Sequence, residues 1–300
     1  QNMIIAYDSG DVTQYMEIIT GAGIENPVLV DKYVMGKEIE VDAICDGEDI
    51  LIPGIMEHIE RAGVHSGDSI SVYPAQTIDD AARDTIIEYT RRLAKSLNAL
   101  GMINIQYILK DGKVYVIEVN PRSSRTVPYI SKVTGIPSVK LATRCMLGEK
   151  LRDMGYGTGL YRQSDYIAVK VPVFSFEKIH NIDVHLGPEM KSTGEVLGLA
   201  HTFKDAVQKG LTAAGFKMKK GGRVLMTVRD RDKEELLPIA KRMRALGFEI
   251  FATGGTRSFL AENGVEATYV GKIYEGGEIL GLIESGVDYV ISTSAGNRTP

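Results

Sequence analysis

Cysteine is nearly missing from this chain of 300 residues: there are two, Cys45 and Cys145. They lie far apart, and neither has a Cys or His at metal-ligand spacing. That excludes a disulfide framework and a zinc site, and it points to reduced, structural thiols in the cytoplasm. Long apolar runs are missing too. None approaches the roughly 18 residues that a membrane-crossing helix needs, and no secretory leader is visible. Strong charge of one sign is absent: a net charge of −4 and a pI near 5.8 exclude a general binder of nucleic acid or anionic membrane. There is no internal repeat and no low-complexity segment. What remains is ordinary globular material, 44% hydrophobic and 25% charged, and its length suggests about two domains. The chain opens on Gln1 in sequence that reads as mid-element and stops at Pro300 after a strand-like run. A piece of a longer polypeptide is therefore expected.

The first 150 residues alternate between strand-like and helix-like patterns. Pro27 to Tyr33 reads as a buried strand, and Glu38 to Cys45 (E-I-E-V-D-A-I-C) as a half-buried one with acidic residues on one side. Asp46-Gly47 is a turn signal, and Asp49 to Glu60 continues as one long strand. Arg61 to Ser69 is too polar and glycine-rich for a regular element. Thr77 is expected to cap a long helix whose apolar stripe runs Ile78, Ala82, Ile86, Tyr89, Leu93, Leu97 and Leu100, ending at Gly101. After Arg125, helices are expected over Thr126 to Thr134 and Ser138 to Leu147. Tyr166 to Phe174 reads as a strand, Leu186 to Gly198 as a polar loop, and Thr202 caps a helix to about Leu211. Lys217 to Gly222 is the best linker. Beyond it, strand and helix alternate: Arg223 to Val228, Lys233 to Leu246, Phe248 to Ala252, Ser258 to Asn263, Ala267 to Val270, Glu278 to Ser285 and Val287 to Ile291. Such alternation implies a doubly wound parallel sheet.

The stretch Met102 to Arg125 concentrates the chemistry. Two apolar runs flank Lys110-Asp111-Gly112-Lys113, a hairpin signal. Side chains alternate across a strand. With a three-residue loop and Gly112 in the left-handed region, Asn104, Gln106, Glu118 and Asn120 share one face. Ile103, Ile105, Tyr107, Ile117 and Val119 then share the other. A two-residue loop would separate Gln106 from Glu118. Carboxylate and amide oxygens gathered on one face suit a hard cation such as Mg²⁺, and Arg122 and Arg125 follow at once, suited to phosphate oxygens. The polar outer face of a half-exposed hairpin gives the same alternation, so spacing alone leaves both readings open.

The C-terminal segment offers a second anion site. Ligands of doubly wound sheets bind beyond the carboxyl ends of the strands. Three loops lie at such ends: Thr227 to Lys233, Thr253 to Thr256, and Ser292 to Ser294. Thr253-Gly-Gly-Thr256 also opens a helix, where free N–H groups and the positive dipole end attract phosphate. The expected lining is Thr227, Lys233, Thr253, Thr256, Lys272, Thr293 and Ser294.

The string G-I-M-E-H-I-E-R-A-G-V-H-S-G-D-S at Gly54 to Ser69, with E-V-N-P-R-S-S-R-T-V-P at Glu118 to Pro128 and L-G-P-E-M-K-S-T-G-E-V-L-G at Leu186 to Gly198, resembles the large subunit of carbamoyl-phosphate synthetase. More narrowly it looks like the second ATP-grasp half, which phosphorylates carbamate. The segment after Gly222 resembles the allosteric domain related to methylglyoxal synthase. The resemblance implies an α/β and α+β chain: a partial ATP-grasp domain (residues 1–150) with an antiparallel sheet and helices, an extension and linker (151–220), and a truncated allosteric domain (221–300).

It also implies roles. Gln106, Glu118 and Asn120 would hold Mg²⁺ or Mn²⁺ against the ATP phosphates, with Arg122 and Arg125 catalytic at the phosphoryl end. Glu38 would bind the ribose hydroxyls, with the backbone from Val30 to Tyr33, including Lys32 and Tyr33, beside adenine. Gly63, Val64, His65 and Ser66 would close round the nucleotide, and Glu38, His58 and Ser69 would lie near a K⁺ site. A glutaminase small subunit, carbamate, ATP and a nucleotide effector are the implied partners, in an oligomer of heterodimers serving pyrimidine and arginine biosynthesis. No nucleic-acid or membrane partner is expected. Basic residues and a glycine-rich lid of the ATP-grasp pattern precede the first strand read here, so this chain alone is expected to turn over little. Lyase activity is not expected, because the aspartates of methylglyoxal synthase are not recognisable. Glu57, Glu60 and Asp68 read either as a cation-binding cluster or as an exposed acidic edge. Two other readings compete: another ATP-grasp carboxylase or ligase acting on a different acid, and a nucleotide-sensing module without catalysis.

Overall fold

The computed structural model describes residues 5–6, 8–21, 27–176, 184–273, 276–277 and 279–293. The chain forms two compact units, Gln1–Phe216 and Lys217–Pro300.

The first unit opens with helix α1 (Ser9–Gly21) and is built on strand β1 (Lys37–Asp46). Its alternation sends Ile39, Val41, Ala43 and Cys45 into the main apolar cluster, so Glu38, Glu40 and Asp42 face the other way. Each fully buried isoleucine contributes about 1.5–3 kcal/mol. On one side β1 pairs antiparallel with β5 (Leu100–Lys110), with Glu40 opposite Gln106 and Asp42 opposite Asn104. On its other side it pairs with β2 (Ile50–Ile52) and β3 (Ile55–Arg61). With β4 (Ser71–Tyr73), β6 (Lys113–Asn120), β7 (Gly159–Leu160), β8 (Ile167–Val173) and β9 (Gly194–Ala200), they make one nine-stranded sheet. Its main path is β6-β5-β1-β3-β4-β8-β9, and β2 and β7 pair parallel beside it.

Helix α2 (Asp80–Ser96) covers the apolar face through Ile86 and Ala94. Its Thr90 hydroxyl meets the Tyr107 hydroxyl at 2.8 Å. Helices α3 (Val127–Thr134) and α4 (Ser138–Met146) close over Ile44, Leu51 and Met102. Helix α5 (Phe203–Ala213) lies on β9 backbone to backbone: a Cβ on Gly198 would stand 2.0 Å from the Ala206 carbonyl oxygen.

The second unit is the expected parallel α/β sheet. Its elements are β10 (Gly222–Thr227), α6 (Lys233–Ala245), β11 (Phe248–Ala252), α7 (Gly254–Glu262), β12 (Thr268–Tyr269), α8 (Ile279–Glu284) and β13 (Tyr289–Ser292). The strand order is β12-β11-β10-β13, all parallel. Val224, Met226, Leu236, Phe248, Ile250 and Leu260 fill its core.

Several sequence expectations need correction. Residues 27–36 form no strand, and Leu29 and Val30 are 83% and 65% exposed. An apolar run marks burial only where something packs on it, and no described strand pairs with this one. β1 is buried along nearly its whole length rather than half-buried, acidic residues included. The long strand expected over 49–60 breaks at Pro53-Gly54, where a proline cannot donate to a ladder. Asp79, not Thr77, caps α2, accepting from the Ala82 N–H at 2.7 Å. The Thr77 hydroxyl is taken by Glu57 at 2.6 Å. α2 ends at Ser96, and Leu97 and Leu100, counted in its stripe, are about half exposed. The reversal falls at Asn98, whose φ of 49° ends the helix before Gly101 is reached. Part of the polar loop expected over 186–198 is strand β9.

Candidate functional site

The hairpin that carries the chemistry turns on two residues, not three. Asp111 and Gly112 have φ of 50° and 72°, the pattern of a tight type I′ turn. Lys110 pairs with Lys113, and the register runs unbroken to Tyr107 opposite Val116. Left alone, it would carry Gln106 and Glu118 to opposite faces. A register shift beyond Tyr107 prevents this: Gln106 pairs with Glu118, Ile105 with Val119, and Asn104 with Asn120. Ile117 is the extra residue of a β-bulge. It is 44% exposed, not inward as expected. The four polar side chains therefore share one face, by a bulge rather than by a longer turn.

That face continues onto β1 as a buried row of carboxylates, where Glu38, Glu40 and Asp42 are each no more than 4% exposed. Asn104 ties two of them together, donating to Glu40 at 2.8 Å and Asp42 at 3.1 Å. His58, from β3, stands 3.4 Å from Glu40 through Nε2 and 3.6 Å from Glu38 through Nδ1. Burial pushes the Glu38 carboxyl up to about 7, with Glu40 and Glu118 adding to the rise and His58 opposing it. Burial also lifts Asp42 to about 7, helped by the charge on Glu40. Burial works against ionisation of Glu40 as well. There it is outweighed by the His58 hydrogen bond and charge, by Asn104 and by Lys170, so Glu40 stays below the usual carboxylate range. Lys170 of β8 is buried among Glu40, Glu195, Glu60 and Asp68. It donates to the Ser66 carbonyl at 2.9 Å, and burial depresses its pKa.

Two loops cover the row. In residues 61–69, Tyr33 donates to the Ala62 carbonyl at 2.6 Å, so the Tyr33 ring lies against Gly63. His65 Nδ1 accepts from the Gly67 N–H at 3.0 Å. That leaves Nε2 to carry the proton in the neutral ring, and burial holds the His65 pKa down. Asp68, Arg125, Glu118 and Glu40 all lie within electrostatic reach of this imidazole. Gln106 donates to the Ser66 hydroxyl at 3.3 Å. Ser69 is turned back to the His65 carbonyl at 3.4 Å. The second loop, residues 184–193, is pinned on the first. His65 N–H donates to the Gly187 carbonyl, and Asp68 accepts from the Lys191 and Ser192 N–H groups, all at 2.8 Å. Arg125 contacts the Met190 sulfur, and Arg122 bonds the Ser123 carbonyl at 3.1 Å. Val64 sits in the same loop, and Lys32 is on the exposed segment before β1. Of the Glu57, Glu60 and Asp68 trio, none is a free acidic edge. Glu57 holds Lys37, Thr77 and the Gln76 N–H, and Glu60 holds the Ile70 N–H.

In the second unit the strand ends do converge. The hydroxyls of Thr227 and Thr253 meet at 3.1 Å. Thr293 N–H donates to the Thr227 carbonyl, and the Thr293 hydroxyl accepts from Arg229 N–H at 2.9 Å. Thr256 accepts from Val228 N–H at 3.2 Å, so its hydroxyl is spent inside the fold. Lys233 pairs with Asp230 at 2.7 Å, and its Nζ lies 3.5 Å from where a Cβ on Gly255 would stand. Lys272 acts electrostatically on the same Asp230. Ser294 lies outside the described residues.

Residues 3–154 match the family described as carbamoyl-phosphate synthase L chain, ATP binding domain. The chain belongs to this family. Residues 235–300 match the MGS-like domain. Among curated relatives, the carbamoyl phosphate synthase large chain of Lachnoclostridium phytofermentans is 58% identical over 99% of this chain and 28% of its own length. Those of Agathobacter rectalis and Clostridium botulinum are 56% and 53% identical over 98% of this chain, again 28% of theirs. The chain thus spans about 28% of the length of the relatives it matches.

Measured against the chemistry of this family, the hairpin donors fit a hard divalent cation. All are oxygens, and the amide groups are oriented: Gln106 donates through its NH₂ to Ser66 and Asn120 to Glu118 at 2.9 Å. Each carbonyl oxygen is left as the group's acceptor. Among the described residues no three His, Cys, Asp or Glu side chains form a cation-binding group, so any cation here relies on amides, water and phosphate to complete its shell. No described helix is long and apolar enough to cross a membrane. Sequence reasoning missed Glu40, Asp42, Ser124, Thr126 and Lys170. The i, i+2, i+4 spacing of Glu38, Glu40 and Asp42 was a usable signal, as was a lone lysine in A-V-K-V-P-V.

Proposed function

We propose that the first unit carries the phosphorylation of carbamate by ATP, giving carbamoyl phosphate, and that the second unit regulates it by binding a nucleotide effector. A carbamate oxygen attacks the γ-phosphorus, a P–O bond to it forms, and the bond to the β-phosphate oxygen breaks as ADP leaves. Such a reaction needs positioned charge more than a nucleophilic side chain. Mg²⁺ or Mn²⁺, when bound, neutralises the ATP phosphates. Gln106, Glu118 and Asn120 are its holders in this reading. Arg122 and Arg125 take the oxygens that gain charge. His65, protonated on Nε2, donates to phosphate or ribose rather than acting as a base, since carbamate is already an anion. Glu38 takes the ribose hydroxyls, and the Val30 to Tyr33 backbone, with Lys32 and Tyr33, borders adenine. Gly63, Val64 and Ser66 close over the nucleotide. A K⁺ ion lies near Glu38, His58 and Ser69 in this reading. Thr227, Lys233, Thr253, Lys272, Thr293 and Ser294 form the effector site, and Thr256, bonded to the Val228 N–H, braces the loop after β10. Ammonia from a glutaminase small subunit, an oligomer of such heterodimers, a cytoplasmic setting, and supply of pyrimidine and arginine synthesis complete the reading.

The observation that carries it is the register shift that brings Gln106 to the face shared by Glu118 and Asn120. A bulge that serves only the sheet has no reason to align these side chains. The test is ATP formation from ADP and carbamoyl phosphate in a full-length large chain containing this segment. Glu118→Gln should slow it about a hundredfold, the scale of losing one electrostatic group at the reacting centre. A rate within twofold of the parent would remove Glu118 from the chemistry.

A further inference from the structure

The loop that carries Arg122 and Arg125 is tied to the buried floor of the site at one point. Ser124 contacts Asp42 Oδ2 at 2.8 Å, and Thr126 contacts the same oxygen at 2.6 Å. Thr126 also stands 3.2 Å from Glu40 Oε1, and the Ser124 and Thr126 hydroxyls are 2.7 Å apart. Asp42, Glu40 and Thr126 are each at most 3% exposed, so solvent does not help to satisfy them.

These four oxygen–oxygen contacts are all at hydrogen-bond distance, and each needs a proton between its oxygens to be attractive. Ser124 and Thr126 supply one each. The other donors at hand are the Asn104 NH₂, whose hydrogens go to Glu40 Oε1 and Asp42 Oδ1, and the Thr126 N–H, which goes to the Ser124 oxygen at 3.1 Å. With Asp42 ionised, two contacts hold and two set lone pairs against each other in a dry interior, where that is costly. One proton on Asp42 raises this to three of the four: Asp42 Oδ2–H to Thr126, Thr126 to the Glu40 carboxylate, and Ser124 to Asp42 Oδ2, which leaves only the Ser124–Thr126 approach without a proton.

We infer that Asp42 is a positioning residue that works as a carboxylic acid: carrying a proton, it anchors the Ser124–Thr126 turn to β1 and so sets Arg125 at the phosphoryl end of the site. The inference rests on the function proposed above for Arg125. The charged groups around Asp42 agree with it. Glu40, beside it on β1, repels a second negative charge. His58 from β3 and Lys170 from β8 act on Glu40. From β5 the facing group is the neutral Asn104. From the loop and the start of α3, Ser124 and Thr126 present only hydroxyls. Burial and Glu40 raise the Asp42 pKa to about 7.

An amide can replace a protonated carboxyl, since it offers both a donor and an acceptor, but it cannot replace a carboxylate. The test compares Asp42→Asn, Asp42→Ala and Ser124→Ala in the full-length large chain, by carbamoyl-phosphate-dependent ATP formation across pH 6 to 9. Asp42→Asn should keep its rate within about threefold at pH 6.5 and lose the parent's decline on the alkaline side. Asp42→Ala and Ser124→Ala should each fall roughly tenfold or more in kcat, the scale of one lost positioning contact, with the KM for ADP little changed. If Asp42→Ala does not fold, Ser124→Ala carries that arm. A second readout is independent of activity: infrared difference spectra of this chain should show a protonated carboxyl C=O band that is missing in Asp42→Asn and fades as pH passes 7. An Asn variant as slow as the Ala variant, an unchanged alkaline limb, or no such band in the parent overturns the inference. If the parent makes no ATP at all, the proposed function fails while the infrared band still decides the state of Asp42.

Discussion

The two units of this chain handle charge in opposite ways. The nine-stranded sheet of the first buries ionisable groups in a row: Glu38, Glu40, Asp42, His58 and Lys170 are all at most 4% exposed. In the second unit the buried polar residues among those described are two threonines, Thr253 and Thr256, and its charged groups stay at the surface. Burying charge costs stability unless it is paired. The first unit bears that cost and gains a rigid polar floor, the kind of fixed electrostatics a phosphoryl transfer uses. The second is proposed to hold its effector at the start of α7, where backbone N–H groups lie near Lys233, a softer kind of anion site.

The largest effect that would sharpen this contrast is on stability. Glu38 and Asp42 have folded pKa values raised to about 7. The folded state therefore holds more protons than the unfolded chain between pH of roughly 4 and 7, and stability drains away as pH rises through that window. In the second unit, Asp230, Asp232 and Asp288 have lowered values, through Lys233, through Thr293 and Arg229, and through the Arg223 N–H and Lys219 respectively. Their contribution is present above the ordinary carboxylate range and is lost only as pH falls below it. Amide hydrogen exchange separates the two units. Strands β1 and β5 should lose protection from pH 5 to pH 8 while β10 and β11 do not. Parallel pH trends in both would break the comparison.

A smaller effect is expected on control. Thr256→Ala with Lys272→Ala, in the full-length large chain, should leave the basal rate within about twofold and weaken the response to nucleotide effectors about tenfold, a usual size for an allosteric coupling. An unchanged response in a folded double variant would place the effector site elsewhere.

Much of this architecture was legible in the residues themselves. The parallel sheet followed from strand–helix alternation, and the polar hairpin face followed from period two. The bulge at Ile117 was not legible: K-V-Y-V-I-E-V-N carries no glycine or proline to announce it, and only the pairing of Gln106 with Glu118 reveals it. The apolar P-V-L-V-D-K-Y segment misled, because hydrophobicity states a need for a partner without saying where that partner is. The network under the arginine loop was partly visible as E-I-E-V-D. That Asp42 meets Ser124 and Thr126 across more than 80 residues of sequence belongs to the tertiary fold alone.

The central claim is that the first unit holds nucleotide through a divalent cation. Isothermal titration of ADP into the full-length large chain carrying Thr256→Ala and Lys272→Ala tests it most directly, because the effector site is then weakened. Binding that appears with Mg²⁺, vanishes on chelation, and weakens at least tenfold in Glu118→Gln is the predicted result. ADP binding of equal affinity with and without Mg²⁺, unaffected by Glu118→Gln, would contradict it.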